Sequence, residues 1–81
     1  MKVKVEIPHP EKGSAAYAVR AARGRRGITL AELGRQAVLS KSAITRIEQG
    51  DREPTVSTLR AIARVCGGRF TINAKGIRYD S

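Results

Sequence analysis

Lys41, Ser42, Thr45, Arg46 and Gln49 are the side chains of this sequence whose types and spacing could do chemistry together. At about 100° per residue of helix, they share one continuous arc, with Ala43, Ile44 and Ile47 on the opposite side. The arc holds cations, hydroxyls and an amide, but no nucleophile with a base and no ligand set. Its chemistry is recognition by hydrogen bonds. A helix held to its domain by an apolar side, and showing a hydroxyl-rich cationic face, is what the major groove of duplex DNA can admit. A solvated amphipathic helix has the same pattern when taken alone; the neighbouring helix, the caps and the net charge favour the recognition reading.

Such an arc needs a frame, and the stretch from Thr29 to Gly50, TLAELGRQAVLSKSAITRIEQG, reads as two short helices joined by a tight turn. Thr29 is an N-cap for the first, and Glu32 three residues later is expected to complete a capping box. Ser40 caps the second. Leu30, Leu33 and Ala37 fall at helical spacing in the first helix, as do Ile44 and Ile47 in the second, and Gly50 is a left-handed stop.

This stretch resembles the helix-turn-helix of the phage repressor and Cro family, often called Xre-type. The likeness runs from about Val19 to about Gly67 and is carried by Arg23, Gly27 to Thr29, Leu33, Ser40, Ile44, Arg46 to Glu48, Gly50, Pro54, Leu59 and Ile62-Ala63. The resemblance implies that Ser40, Lys41, Ser42, Thr45 and Arg46 face double-stranded DNA; Gln49, on the same arc, and Thr29, at the start of the preceding helix, are further DNA-binding candidates. Arg46 would offer paired donors to a guanine edge, and Lys41 would serve a base or a phosphate. Arg52, in the loop after the recognition helix, is either a phosphate contact, which positions rather than specifies, or a solvated loop arginine. The family's ion pair maps onto Arg23 and Glu48, a structural pairing. Leu30 stands where many members have a phosphate-binding glutamine, leaving backbone donors at the helix start. Val38 stands where the turn usually has glycine; a β-branched residue at φ above zero is strained, so either the turn differs or the domain bears the strain.

The 81 residues allow one domain, and a chain this short buries only about 60% of its unfolded surface. Sixteen Lys and Arg against seven Asp and Glu give a formal charge of +9, which implies self-repulsion within the monomer and attraction to polyanions. Nucleic acid is the leading partner. No stretch approaches the roughly 20 apolar residues of a spanning helix, and MKVKVEIPHPEKG has no apolar signal core, so no membrane partner is expected. The single cysteine, Cys66, excludes an intrachain disulfide and a zinc cluster. A reducing cytoplasm is the simplest location.

Residues 2 to 7, KVKVEI, alternate Val3, Val5 and Ile7 with Lys2, Lys4 and Glu6, the pattern of a half-buried strand ended by Pro8 and Pro10. His9 has no ligand cluster around it and reads as a loop histidine. From Ser14, an N-cap, AAYAVRAARGRR is a strong helix former with Tyr17, Val19 and Ala22 as apolar contacts, weakened at Gly24 and ended at Gly27. Arg20, Arg23, Arg25 and Arg26 invite a phosphate reading without needing to share one role. Pro54-Thr55 starts another helix, with Val56, Leu59, Ile62, Ala63 and Cys66 on one face; Cys66 reads as a small buried hydrophobe. After Gly67-Gly68, Phe70 and Ile72 alternate with Thr71 and Asn73, and Ile77 and Tyr79 repeat the pattern, as one strand or a hairpin. The family usually has a fifth helix here, whereas related antitoxins often end in a strand that contributes to dimerisation. By that likeness Phe70 and Ile72 are dimerisation candidates.

The expected fold is therefore mainly α: a four- to five-helix repressor-like helix-turn-helix domain with short β-strands at the termini. It occupies 1–81 as one domain, with a core of about 14–67, an N-terminal arm at 1–8 and a tail at 69–81. The expected function is sequence-specific binding of double-stranded DNA at an inverted repeat by a homodimeric repressor of its own or a neighbouring operon. The alternative is an antitoxin that also binds a toxin protein. No nucleophile, base and orienting group assemble into an active site, and neither cofactor nor metal is expected. An RNA role follows from charge alone, but the stacking aromatics of single-strand readers are limited to Tyr17, Phe70 and Tyr79.

Overall fold

The computed structural model of the chain describes residues 13–80; the strand read at residues 2–7 and the loop histidine His9 lie outside the described residues. Four helices are followed by two strands: α1 Ala15–Arg26, α2 Leu30–Ala37, α3 Lys41–Glu48, α4 Val56–Cys66, β1 Arg69–Asn73 and β2 Gly76–Asp80. Each helix starts on a hydroxyl cap. The side chains of Ser14, Thr29, Ser40 and Thr55 accept from the backbone N–H of Tyr17, Glu32, Ala43 and Thr58 respectively. Each satisfies one of the orphan donors at its helix start, worth about 0.5 to 2 kcal/mol. The capping box at Thr29 forms by half: the Glu32 carboxylate pairs with Arg35 one turn on. Both sites are solvent-facing, and Arg35 supplies a charged donor where the Thr29 backbone supplies a neutral one.

The core is one cluster to which every helix contributes. Val19 and Ala22 of α1, Leu33 and Ala37 of α2, Ile44 and Ile47 of α3, and Leu59, Ile62 and Cys66 of α4 are all buried. Leu33, Ile44, Ile62 and Val19 are the largest fully buried side chains, each contributing about 1.5 to 3 kcal/mol by removal from water. α1 packs against α3, α4 and β2, and α2 packs against α3 and α4. Two expected core residues lie at the edge: Tyr17 is 39% exposed and Val56 is 55% exposed. Val56 is the first helical residue of α4, so no preceding turn carries the apolar stripe over it. Leu30, lacking a polar head, packs half-buried against the cluster.

In place of a fifth helix, β1 and β2 form an antiparallel hairpin pairing Phe70 with Tyr79, Thr71 with Arg78 and Ile72 with Ile77. Asn73 Oδ1 accepts from Lys75 N at 2.8 Å inside its two-residue turn, a side-chain mimic of a backbone turn. Residues directly opposite share a face, so Phe70, Ile72, Ile77 and Tyr79 line one side. Phe70, Ile77 and Tyr79 pack against the helical core. The Phe70 and Tyr79 rings are tilted with centroids 5.4 Å apart, and the Tyr79 hydroxyl donates to the Cys66 carbonyl at the end of α4. Phe70 is therefore engaged within its own chain. Ile72, nearer the turn, is 57% exposed.

Candidate nucleic-acid interface

α3 is anchored from one side only. Ile44 and Ile47 are buried against α1 and α2, while Lys41, Ser42, Arg46 and Gln49 are exposed. The side chains of Lys41, Ser42, Arg46 and Gln49 have no hydrogen-bond or ion-pair partner among the described residues. Ser40, exposed as the N-cap, accepts from Ala43 N at 3.0 Å and keeps its hydroxyl proton available. Thr29 stands in the same way at the start of α2, accepting from Glu32 N at 3.1 Å. Thr45 is half-buried and donates its hydroxyl to the Lys41 carbonyl at 2.8 Å, so toward a ligand it acts as an acceptor and a methyl contact. Arg52 is exposed in the loop after α3.

The angle between α2 and α3 rests on two unusual residues. At Gly34, an added β-carbon would lie 2.7 Å from the Leu39 carbonyl oxygen and 3.4 Å from Lys41 N. A side chain there would push the start of α3 off α2, a requirement of close backbone approach that sequence spacing does not reveal. Val38 ends α2 in the left-handed region, with φ 58° and ψ 46°. It is the one non-glycine residue with positive φ among those described. The turn keeps the family geometry and the domain bears the strain, about 1 to 2 kcal/mol for an L-residue with a β-carbon. In return, the Gly34 carbonyl accepts from Leu39 N at 2.7 Å, closing the helix end. The Val38 side chain itself is 89% exposed and stabilises nothing by burial.

The inner end of α3 is locked electrostatically. Arg23 donates through Nε to Glu48 Oε2 at 2.7 Å and through Nη2 to Oε1 at 2.9 Å, a two-pronged pairing of planar groups, while Nη1 reaches the Ile28 carbonyl at 3.2 Å. Glu48 is 5% exposed. The hydrogen bond to Glu48 raises the Arg23 guanidinium further above its already high range, against the opposing effect of burial. Arg20 adds a bond from Nε to the Glu48 carbonyl at 3.1 Å, satisfying the end of α3 from α1. Of the four arginines of α1, two thus hold α3 in place, and Arg25 and Arg26 are exposed at the helix end. Arg20 carries no local signal for this role, because its partner is a backbone carbonyl 28 residues away.

Burial pushes the Cys66 thiol up, with nearby Arg26 and Arg23 drawing it back only in part. It is a packed thiol, short of the thiolate that reactivity requires. Among the described residues no group of His, Cys, Asp and Glu is placed to hold a metal ion, and no helix is long and apolar enough to cross a membrane.

Comparison with known proteins agrees with this geometry. The crystal structure of the clp gene regulator ClgR from Corynebacterium glutamicum is similar, with a TM-score of 0.64 and 26% sequence identity over 74% of this chain and 65% of that one. This chain thus spans just under two-thirds of that protein's length. A search of curated proteins by sequence gives no significant match. The sequence profile of the helix-turn-helix family matches residues 19–72, a span from the middle of α1 to β1 that includes the Arg23–Glu48 lock, the strained turn and the exposed face of α3. The chain belongs to the helix-turn-helix family of the Xre and Cro type.

Proposed function

We propose that this protein is a sequence-specific DNA-binding transcriptional regulator, and specifically a dimeric repressor that lays α3 in the major groove of an inverted repeat. The carrying observation is the division of α3 into a side locked to the domain and a side whose Lys41, Ser42 and Arg46 have no partner among the described residues. Arg46 is the base reader, with paired donors for a guanine edge. Ser40, Ser42, Thr45 and Gln49 supply shorter hydrogen-bond contacts, and Lys41, Arg52 and the Thr29 hydroxyl engage phosphates. The similar corynebacterial protein is described as a gene regulator, which accords with this reading. Selection of bound fragments from a random duplex pool tests it. A recovered palindromic motif is the expected result, and uniform recovery of all sequences would remove the specific-regulator reading.

The dimer surface in this proposal is the groove of about 280 Å³ between α4 and β1, where Val56 and Ile72 sit exposed beside Phe70 and Leu59. Pairing two such grooves about a twofold axis would cover both apolar edges and set two copies of α3 about 34 to 36 Å apart, one turn of DNA. Ile72→Asp should give a monomer by sedimentation that binds a half-site weakly while the fold persists, since Ile72 lies outside the core. A dimer retained with full affinity would move the interface elsewhere. Arg60 and Arg69 rim the same groove, which favours the second reading, an antitoxin whose groove takes a toxin protein. Stable co-purification with the product of an adjacent gene would distinguish it.

A further inference from the structure

Glu48, the last residue of α3, is gripped from α1 at both ends. Arg23 takes its carboxylate, and Arg20, one turn earlier on the same helix, donates from Nε to its backbone carbonyl at 3.1 Å. The three carbonyls before it are closed by the chain's own turn: Gln49 N, Asp51 N and Gly50 N donate to Thr45, Arg46 and Ile47 respectively. The Glu48 carbonyl has no such backbone donor, so Arg20 is its one hydrogen-bond partner among the described residues. The end of a helix leaves its last carbonyls without donors inside the helix; here the remaining one becomes a tie to a different helix.

The two ties act differently. Arg23 reaches the α3 backbone only through the rotatable bonds of the Glu48 side chain, whereas Arg20 holds the backbone itself. The opposite end of α3 is set by α2, through the close approach of Gly34 to the Leu39 carbonyl and Lys41 N, and Ile44 and Ile47 bury the middle. The eight residues of α3 make a helix of about 12 Å, so a tilt of about 5° about its first turn moves its last turn by about 1 Å. Arg46 and Gln49 stand in or just after that last turn. A recognition group has to be held within about 0.5 Å of its productive place, so the fixing of this end decides whether Arg46 can reach a base edge with both donors.

We infer that Arg20 is a positioning residue for base recognition: by fixing the Glu48 carbonyl, it holds the last turn of α3 at the angle from which Arg46 meets its base. The inference rests on the regulator reading above and adds to it a residue that acts through α3. The role belongs to the hydrogen bond rather than to the charge. Glutamine carries an amide N–H donor at the same reach along the side chain as arginine Nε, whereas methionine has a similar length and no donor. Arg20→Gln should therefore keep the tie and Arg20→Met should break it, although both lose the cation. The rest of the inner side of α3 is the same in either variant, since Arg23, Ile44 and Ile47 are untouched.

The test is a base-preference profile, obtained by selection from a random duplex pool with the full chain and its variants. Arg20→Met should lower preference about tenfold, within the range of one paired contact, at the position that Arg46→Ala relaxes. Positions read by the first turn of α3 should be unchanged, and Arg20→Gln should keep the unmodified profile throughout. In an Arg46→Ala background, Arg20→Met should change that position no further. Equal loss in Arg20→Gln and Arg20→Met would overturn the inference by making Arg20 a charge contact, and even relaxation at every position would overturn it by making Arg20 a general support of the fold. In the unmodified chain, the Arg20 Nε–H proton should be protected from exchange with water, a readout that depends on no variant folding; fast exchange there also overturns the inference. Uniform recovery of the pool by the unmodified chain would remove the regulator reading and this inference with it. A recovered motif with an unchanged Arg20→Met profile would overturn this inference alone.

Discussion

The two sides of α3 put similar chemistry to opposite ends. Inward, Glu48 is desolvated and held by both prongs of Arg23, with its carbonyl taken by Arg20. Outward, Arg46 and Lys41 stand in solvent with no partner among the described residues. A guanidinium that is saturated makes structure; one left unsatisfied is available for recognition. The same lesson separates the two glutamates of the motif, since Glu48 is enclosed whereas Glu32 meets Arg35 at the surface. Losing a partner in the interior strands a charge without water, and losing one at the surface simply returns the group to solvent.

The largest expected effect is on the inward side. Glu48→Ala leaves Arg23 half-enclosed without its anion and should lower unfolding free energy by roughly 3 to 5 kcal/mol, a large share of a small domain's total. Denaturant melts of Glu48→Ala, Arg23→Ala and the double variant should show strong coupling; additive losses would dissolve the contrast between the two sides. Next comes Arg46→Ala, which should weaken binding to the preferred site by roughly 1 to 3 kcal/mol and relax base preference at one position per half-site. Its melting curve should barely move, and a large shift in stability would mean that the outward face is also structural.

Val38→Gly sharpens the comparison at the turn that sets α3 against α2. Relief of the left-handed strain, less the added freedom of the unfolded chain, should stabilise the fold by about 0.5 to 1 kcal/mol. A destabilised Val38→Gly would show that the side chain holds the turn despite its exposure. The smallest effect belongs to Glu32→Ala, expected to change stability by less than about 0.5 kcal/mol and to leave the Thr29 cap intact. A loss comparable to that of Glu48→Ala would mean that the position of a charge pair in this domain does not decide its worth.

Much of this arrangement is local and can be read along the chain. The caps at Ser14, Thr29, Ser40 and Thr55 need only a hydroxyl placed before a helix former, and the bond each makes lies within three residues. The buried stripe of Leu33, Ala37, Ile44 and Ile47 follows from helical period alone, as does the polar arc of α3. The β character of the tail was legible in the alternation around Phe70 and Tyr79.

Tertiary structure decided the rest, wherever one side chain had several partners of similar chemistry. Glu32 had the Thr29 backbone and Arg35 within reach, and Arg35 won because the pairing is ionic on both sides. Sequence marked Phe70 and Ile72 alike as apolar alternates. The hairpin register then set Phe70 against Tyr79 and left Ile72 near the turn, where no helix covers it. Four arginines on α1 look equivalent in a helix pattern; the family resemblance singled out Arg23, whereas the role of Arg20 at the Glu48 carbonyl came only from how the two helices cross. The sequence by itself determined the elements, their caps and the polar face of α3, because those depend on neighbours a few residues apart. Which charges are enclosed, which apolar edges stay open, and whether Val38 is bent into the left-handed region depend on residues brought together from distant parts of the chain, and no local pattern carries that information.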